Sequence, residues 1–250
     1  MNLRTEVDRL MRIKTLKITG LAFTAALLTS TASLPAFARA VDGVNGRVSL
    51  AVRDVEAKGV DVRQDKEGLR VSLPRSAWQD PAREALSDRD YMALIPVDFK
   101  DGTIEVEVKG AIDPTAPAFA RGFVGIAFRV SGGKFEKIYL RPANGIVDDM
   151  VRRNHSVQYA AFPDFRFDRL RREAPERYET AADIAPDRWV KLKIDVRGAT
   201  ARLFLDGRAN PVLLVNDLKH GTDRRGQIGL WIETGTIAHF RNMKVTHAKP

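Results

Sequence analysis

The chain has no cysteine among its 250 residues. That excludes disulfides, thiolate metal centres and a lipoprotein anchor, so the fold must rest on a buried core. Histidine is scarce: His155, His220, His239 and His247 are scattered, and no spacing supplies paired zinc ligands. Long apolar runs are missing, since Ile18 to Leu28 falls short of the ~20 residues a membrane span needs. No contiguous lysine-rich run accompanies the net charge of +9, which argues against nucleic acid as a partner.

What is present at the N-terminus reads as a targeting segment. Arg12, Lys14 and Lys17 precede the short apolar run, and Ala36-Phe37-Ala38 supplies a small-x-small cleavage pattern. Residues 1–38 are therefore expected to be a signal peptide, with 39–250 a single mature domain, periplasmic or secreted. Removing the five basic and two acidic residues of that segment leaves 36 basic against 30 acidic, a mild excess of six.

Period-2 alternation recurs through the mature chain, as half-buried strands require. Ile104, Val106 and Val108 alternate with Glu105 and Glu107; Val190, Leu192, Ile194 and Val196 alternate with Lys191, Lys193 and Asp195. Leu69, Val71 and Leu73 form an early strand, and Leu203 and Leu205 lead into Asp206-Gly207, a tight-turn signal. Helical periodicity is confined to one short turn at Asp168 to Glu173. The pattern predicts an all-β fold, an antiparallel jelly-roll β-sandwich.

Strand parity also predicts a binding face. Val124, Ile126 and Phe128 point inward with Ile138, Leu140, Leu230 and Ile232. Arg129, Tyr139, Arg141, Gln227, Trp231 and Glu233 then point outward, over a shallow trough left by Gly125 and Ala127. An aromatic platform with forked donors suits a sugar. Trp189, beside the inward Val190 series, reads as structural.

The polar stretch from Tyr139 to Arg177 lies between strands and is too long to be a plain linker. From Arg141 on it holds eight arginines, no lysine and six acids. That near balance predicts an internally paired polar site rather than a phosphate-binding patch.

Particular motifs here carry a resemblance: Tyr139-Leu140-Arg141-Pro142-Ala143-Asn144-Gly145, Arg153-Asn154-His155-Ser156-Val157-Gln158-Tyr159 and Pro163-Asp164. With Phe123 to Val130, Asp187 to Trp189 and Gly229 to Trp231, they make the chain similar to concanavalin A-like jelly-rolls. More narrowly, it resembles the 3-keto-disaccharide hydrolase or 3-keto-glucoside lyase-hydratase family, over roughly residues 101–245. The E-x-D-x-x-E signature of retaining glucanases is absent: Glu105-Val106-Glu107 is followed three positions on by Gly110.

The resemblance implies carbohydrate or glycoside as partner and base-catalysed elimination with hydration at a 3-keto sugar. His155 and Glu233 are the candidate proton-transfer residues. The substrate contacts are expected from Arg129, Tyr139, Arg141, Asn144, Arg153, Asn154, Gln158, Tyr159, Asp164 and Trp231. Structural alternatives stand beside these: His155 as a loop organiser, Arg141 and Arg153 as ties to the sheet. No organic cofactor is expected. Calcium is the one cation with candidate ligands, Asp148 and Asp149, which can equally pair with Arg152 and Arg153. The alternative to an enzyme is a non-catalytic glycan-binding module.

Overall fold

The alternating segments pair into two sheets in the computed structural model, which describes residues 46–249. The expected signal segment lies outside them. In chain order come β1 (Gly46–Arg47), β2 (Glu56–Lys58), β3 (Asp61–Asp65), β4 (Gly68–Ser72), β5 (Met92–Phe99) and β6 (Gly102–Ile112). Next are β7 (Val124–Ser131), β8 (Lys134–Leu140), the short helices α1 (Pro142–Gly145) and α2 (Met150–Asn154), and β9 (Val157–Phe162). After α3 (Phe167–Glu173) come β10 (Glu179–Thr180), β11 (Val190–Arg197), β12 (Thr200–Leu205), β13 (Leu213–Val215), β14 (Gly226–Ile232) and β15 (Thr236–His247).

The first sheet has the order β13-β12-β11-β6-β15-β4-β3, with β1 also on β15; the second has β10-β9-β8-β7-β14-β5-β2. Neighbours run antiparallel throughout. The expected all-β sandwich is what forms. Its core joins Ile104, Val106, Leu192 and Ile194 of the first sheet to Val124, Ile126, Phe128, Leu230 and Ile232 of the second, all buried. Each such side chain contributes about 1.5–3 kcal/mol on burial. The short helical turn is α3, and Asp206 and Gly207 both take positive φ as the tight turn demands.

The sheets differ on their other faces. Along β11 burial alternates residue by residue, and Lys193 stands opposite Glu105 and Lys191 opposite Glu107, a solvated face stitched by opposite charges. In the second sheet β8 and β9 are buried on both faces. Lys137, Tyr139, Gln158 and Trp231 point away from the core yet are at most 1 % exposed. The connections at residues 73–91 and 163–178 lie over them.

The expected open trough is therefore corrected. A Cβ on Gly125 would collide with Tyr139, and one on Gly229 with Met92, so the small residues make room for neighbouring side chains. Trp231 cannot stack on a sugar: its Nε1 donates to the Arg89 carbonyl at 2.7 Å beneath the covering segment.

Candidate functional site

A cleft of ≈ 340 Å³ opens where the two covering segments meet α1 and α2. Arg141, Asn144, His155 and Glu233 line it, as do Asp88, Arg121, Arg152, Arg171, Phe119, Phe123 and Phe167.

Arg141 leaves the end of β8 and is set by groups behind the wall. Its Nη2 donates to Tyr139 Oη at 2.7 Å; its Nη1 donates to the His155 carbonyl at 3.0 Å and to Gln158 Oε1 at 3.3 Å. Tyr139 and Gln158 thus serve the site without touching it. Pro142 opens α1, where its missing N–H costs nothing. Asn144 follows two residues on and donates from Nδ2 to the His155 carbonyl at 3.2 Å, while its buried Oδ1 has no partner among the described residues.

His155 closes α2, whose start is capped by Asp149 accepting from Arg152 N at 3.1 Å. Its Nδ1 stands 2.7 Å from Glu179 Oε2, poorly aligned for a hydrogen bond. Arg171 from α3 forks onto that carboxylate at 3.1 and 2.7 Å. Burial pushes the His155 pKa down, and the charges of Arg171 and Arg141 push the same way against Glu179. The imidazole is therefore neutral at pH 7, with a lone pair available to accept a proton.

Glu233 lines the cleft with its carboxylate already engaged. Arg89 N donates to it at 3.1 Å and Arg89 Nε at 3.2 Å, while Thr234 N donates at 2.8 Å. Both carboxylate oxygens are thus occupied by donors from the covering segment and from Thr234.

Asp88 forms the floor. Tyr139 Oη donates to it at 3.0 Å and Phe167 N at 3.3 Å, and Lys137 Nζ lies 3.5 Å away. Lys137 is wholly buried, its Nζ 3.5 Å from the Trp231 ring centroid and without a hydrogen-bond partner. Burial lowers its pKa to about 8, with Asp88 and Glu233 opposing that shift.

The remaining expected residues fall elsewhere. Arg129 sits at a register shift in β7 with φ 55°; its guanidinium bonds Lys100 O, Gly198 O, Gly221 O and Asp101, all in inter-strand connections. The shift defeats simple parity and makes Arg129 a structural tie. Tyr159 faces the core opposite Ile138, its hydroxyl bonded to Glu136 and the Lys219 amide. Arg153 reaches back to Gly145 O at 3.3 Å, tying α2 to α1, and Asn154 and Asp164 lie outside the cleft lining. Asp148 is exposed, and among the described residues no group of three or more His, Cys, Asp or Glu is placed to hold a metal ion. No helix among them is long and apolar enough to cross a membrane.

Sequence reasoning missed Asp88, Arg121, Arg152, Arg171, Glu179 and the three phenylalanines. The signal for Asp88 was the length of the 73–91 connection, the same criterion that singled out the later loop.

No protein-family model and no curated protein matches the chain. Solved structures do. One is a Bacillus subtilis protein of unknown function with a galectin-like fold: TM-score 0.55, 13% identity, covering 82% of this chain and 97% of that one. Another is the carbohydrate binding module CBM66 from Bacillus subtilis: TM-score 0.51, 16% identity, covering 77% and 94%. The likeness is one of fold. It supports the all-β sandwich and leaves function to the site.

Proposed function

We propose that the chain is an exported carbohydrate-active protein that takes a glycoside into the Arg141–His155 cleft. The observation that carries this is the convergence of Arg141 and His155 in one open cleft beside Phe119, Phe123 and Phe167. Fixed guanidinium donors, an imidazole and aromatic walls match a sugar's hydroxyls and its apolar ring face. The likeness to a carbohydrate-binding module supports the same class of ligand.

In the finer reading the ligand is a 3-keto-glycoside and the reaction an elimination. Neutral His155, beside Glu179, removes the proton at C2, which the C3 ketone acidifies. The electron pair moves onto the C3 oxygen as an enolate, held by the Arg141 guanidinium. Collapse of the enolate forms the C1–C2 double bond and expels the C1 substituent, which takes a proton; water then adds across that bond. A non-catalytic binding module is the second reading, favoured by the engagement of Glu233, which leaves His155 as the lone free proton acceptor of the two expected.

Release of the C1 substituent from a 3-keto-glucoside, followed alongside calorimetric binding, separates the two. The enzyme reading expects turnover that falls by ~10²–10⁴ in His155→Ala with binding retained. It also expects kcat/KM to fall with acid only below the ordinary histidine range, because the His155 pKa is depressed. Binding without turnover by the unmodified protein would leave the module.

A further inference from the structure

The cleft's charges do not cancel, and the excess is all arginine. Three acid–base pairs close within the site: Glu233 with Arg89, Glu179 with Arg171, and Asp88 with Lys137. Arg121, Arg141 and Arg152 also line the cleft, and none forms an ion pair with a carboxylate among the described residues. Among the described residues Arg121 donates only to the carbonyls of Ala118 and Ala120, and the side chain of Arg152 makes no hydrogen bond. All three line the one cleft, and burial together with the charges of Arg152 and Arg141 lowers the Arg121 pKa. Like charges held together this way raise the energy of the empty site and lower that of an anion entering it.

The near balance of acids and arginines along the loop concealed this. Asp168 and Glu173 pair with Arg172 and Arg169 on the outer side of α3, away from the cleft, while Arg121 joins from a different connection.

We propose that the sugar recognised in this cleft carries a permanent anionic group, a carboxylate or a sulfate or phosphate ester, clamped between Arg121 and Arg152. This rests on the glycoside reading of the same cleft and narrows its substrate class. Depth separates the roles. Arg141 is 6% exposed and fixed by Tyr139 and Gln158, where it faces the ring; Arg121 and Arg152 are half-buried at the wall, where a substituent reaches them. Guanidinium forks bind such oxygens in pairs, which an ammonium cannot copy.

The test is titration calorimetry of the full mature protein against matched trisaccharides: neutral, uronate, the uronate methyl ester, and a sulfate ester, with inorganic phosphate as a separate probe. An anionic sugar is expected to bind about tenfold or more tightly than its neutral or methyl-ester counterpart, and the gap should narrow as salt rises. Arg152→Gln should lose most of that preference with an unchanged melting temperature, since its side chain bonds to none of the described residues. Arg121→Gln should do the same, with its melting temperature reporting any loss from the two carbonyls. Equal affinity for the acid and its methyl ester would overturn the inference and leave the glycoside reading standing. Binding of phosphate with none of the trisaccharides bound would overturn both.

Discussion

The two sheets use the same alternation for opposite ends. In the first, the polar half of β11 and its partners Glu105 and Glu107 on β6 keep contact with water and pair across strands, so that stretch of the outer face is a surface. In the second, the outward half of β8, β9 and β14 is covered by residues 73–91 and 163–178, so polar groups there become an interior that must satisfy itself. Lys137, Tyr139, Gln158 and Trp231 are that interior, and the cleft is the place where the cover stays open. The site is thus a gap between a sheet and its lid segments, unlike a groove on a bare sheet.

The comparison breaks most visibly at Trp231. Were it a surface platform, Trp231→Ala would leave stability unchanged; buried under Arg89, it should cost about 3–5 kcal/mol in chemical denaturation. Phe128→Ala, on the inner face of the same sheet, should cost the same amount, and a clear gap between them would restore the surface reading.

Glu233→Gln tests the cover's anchorage. It removes the anion that holds Arg89 over the sheet, and breaking a buried pair costs about 3–5 kcal/mol. Arg89 keeps 19% of its side chain in water, so the low end, about 3 kcal/mol, is expected by thermal or urea unfolding.

Lys137 gives a pH signature that no group on a solvated face would. Its pKa is about 8 in the fold against 10.5 ordinarily, so between these values the unfolded chain binds more protons. Stability from this group rises as pH climbs from 8 towards 10.5 and is lost as pH falls through 8, a span of up to about 3 kcal/mol. Lys137→Met should remove that rise from the urea-denaturation profile measured at pH 7 to 10. Superimposable profiles would mean Lys137 reaches water in solution.

The fold was legible because the first sheet obeys the alternation rule and the inner face of the second does too. The cleft was half legible. Arg141, Asn144 and His155 stand on one loop whose composition announces them. Asp88 and Arg121 come from connections distant in sequence, and nothing local marks them as neighbours of that loop. Parity failed where a second layer intervened: it sent Trp231 outward correctly, but outward was not solvent. It failed at Arg129 for a local reason, the register shift between Phe128 and Ser131.

The smallest expected effect lies on the first sheet and sets the scale for the rest. Glu107 pairs with Arg241 at 2.7 Å, a geometry as short as many in the cleft. Both side chains keep contact with water, 26% and 42% exposed, so solvent screens the pair and already hydrates either member alone. Glu107→Gln should therefore cost about 0–1 kcal/mol, and the remaining amide still accepts from Arg241. The Arg241 guanidinium also keeps its place over the Trp189 ring, 3.8 Å from the centroid, whatever occupies position 107. Urea denaturation of Glu107→Gln beside Glu233→Gln puts the same chemical change on the two sheets. A ratio of three or more between their costs is the mark of a covered face, and equal costs would mean that residues 73–91 do not shield the second sheet.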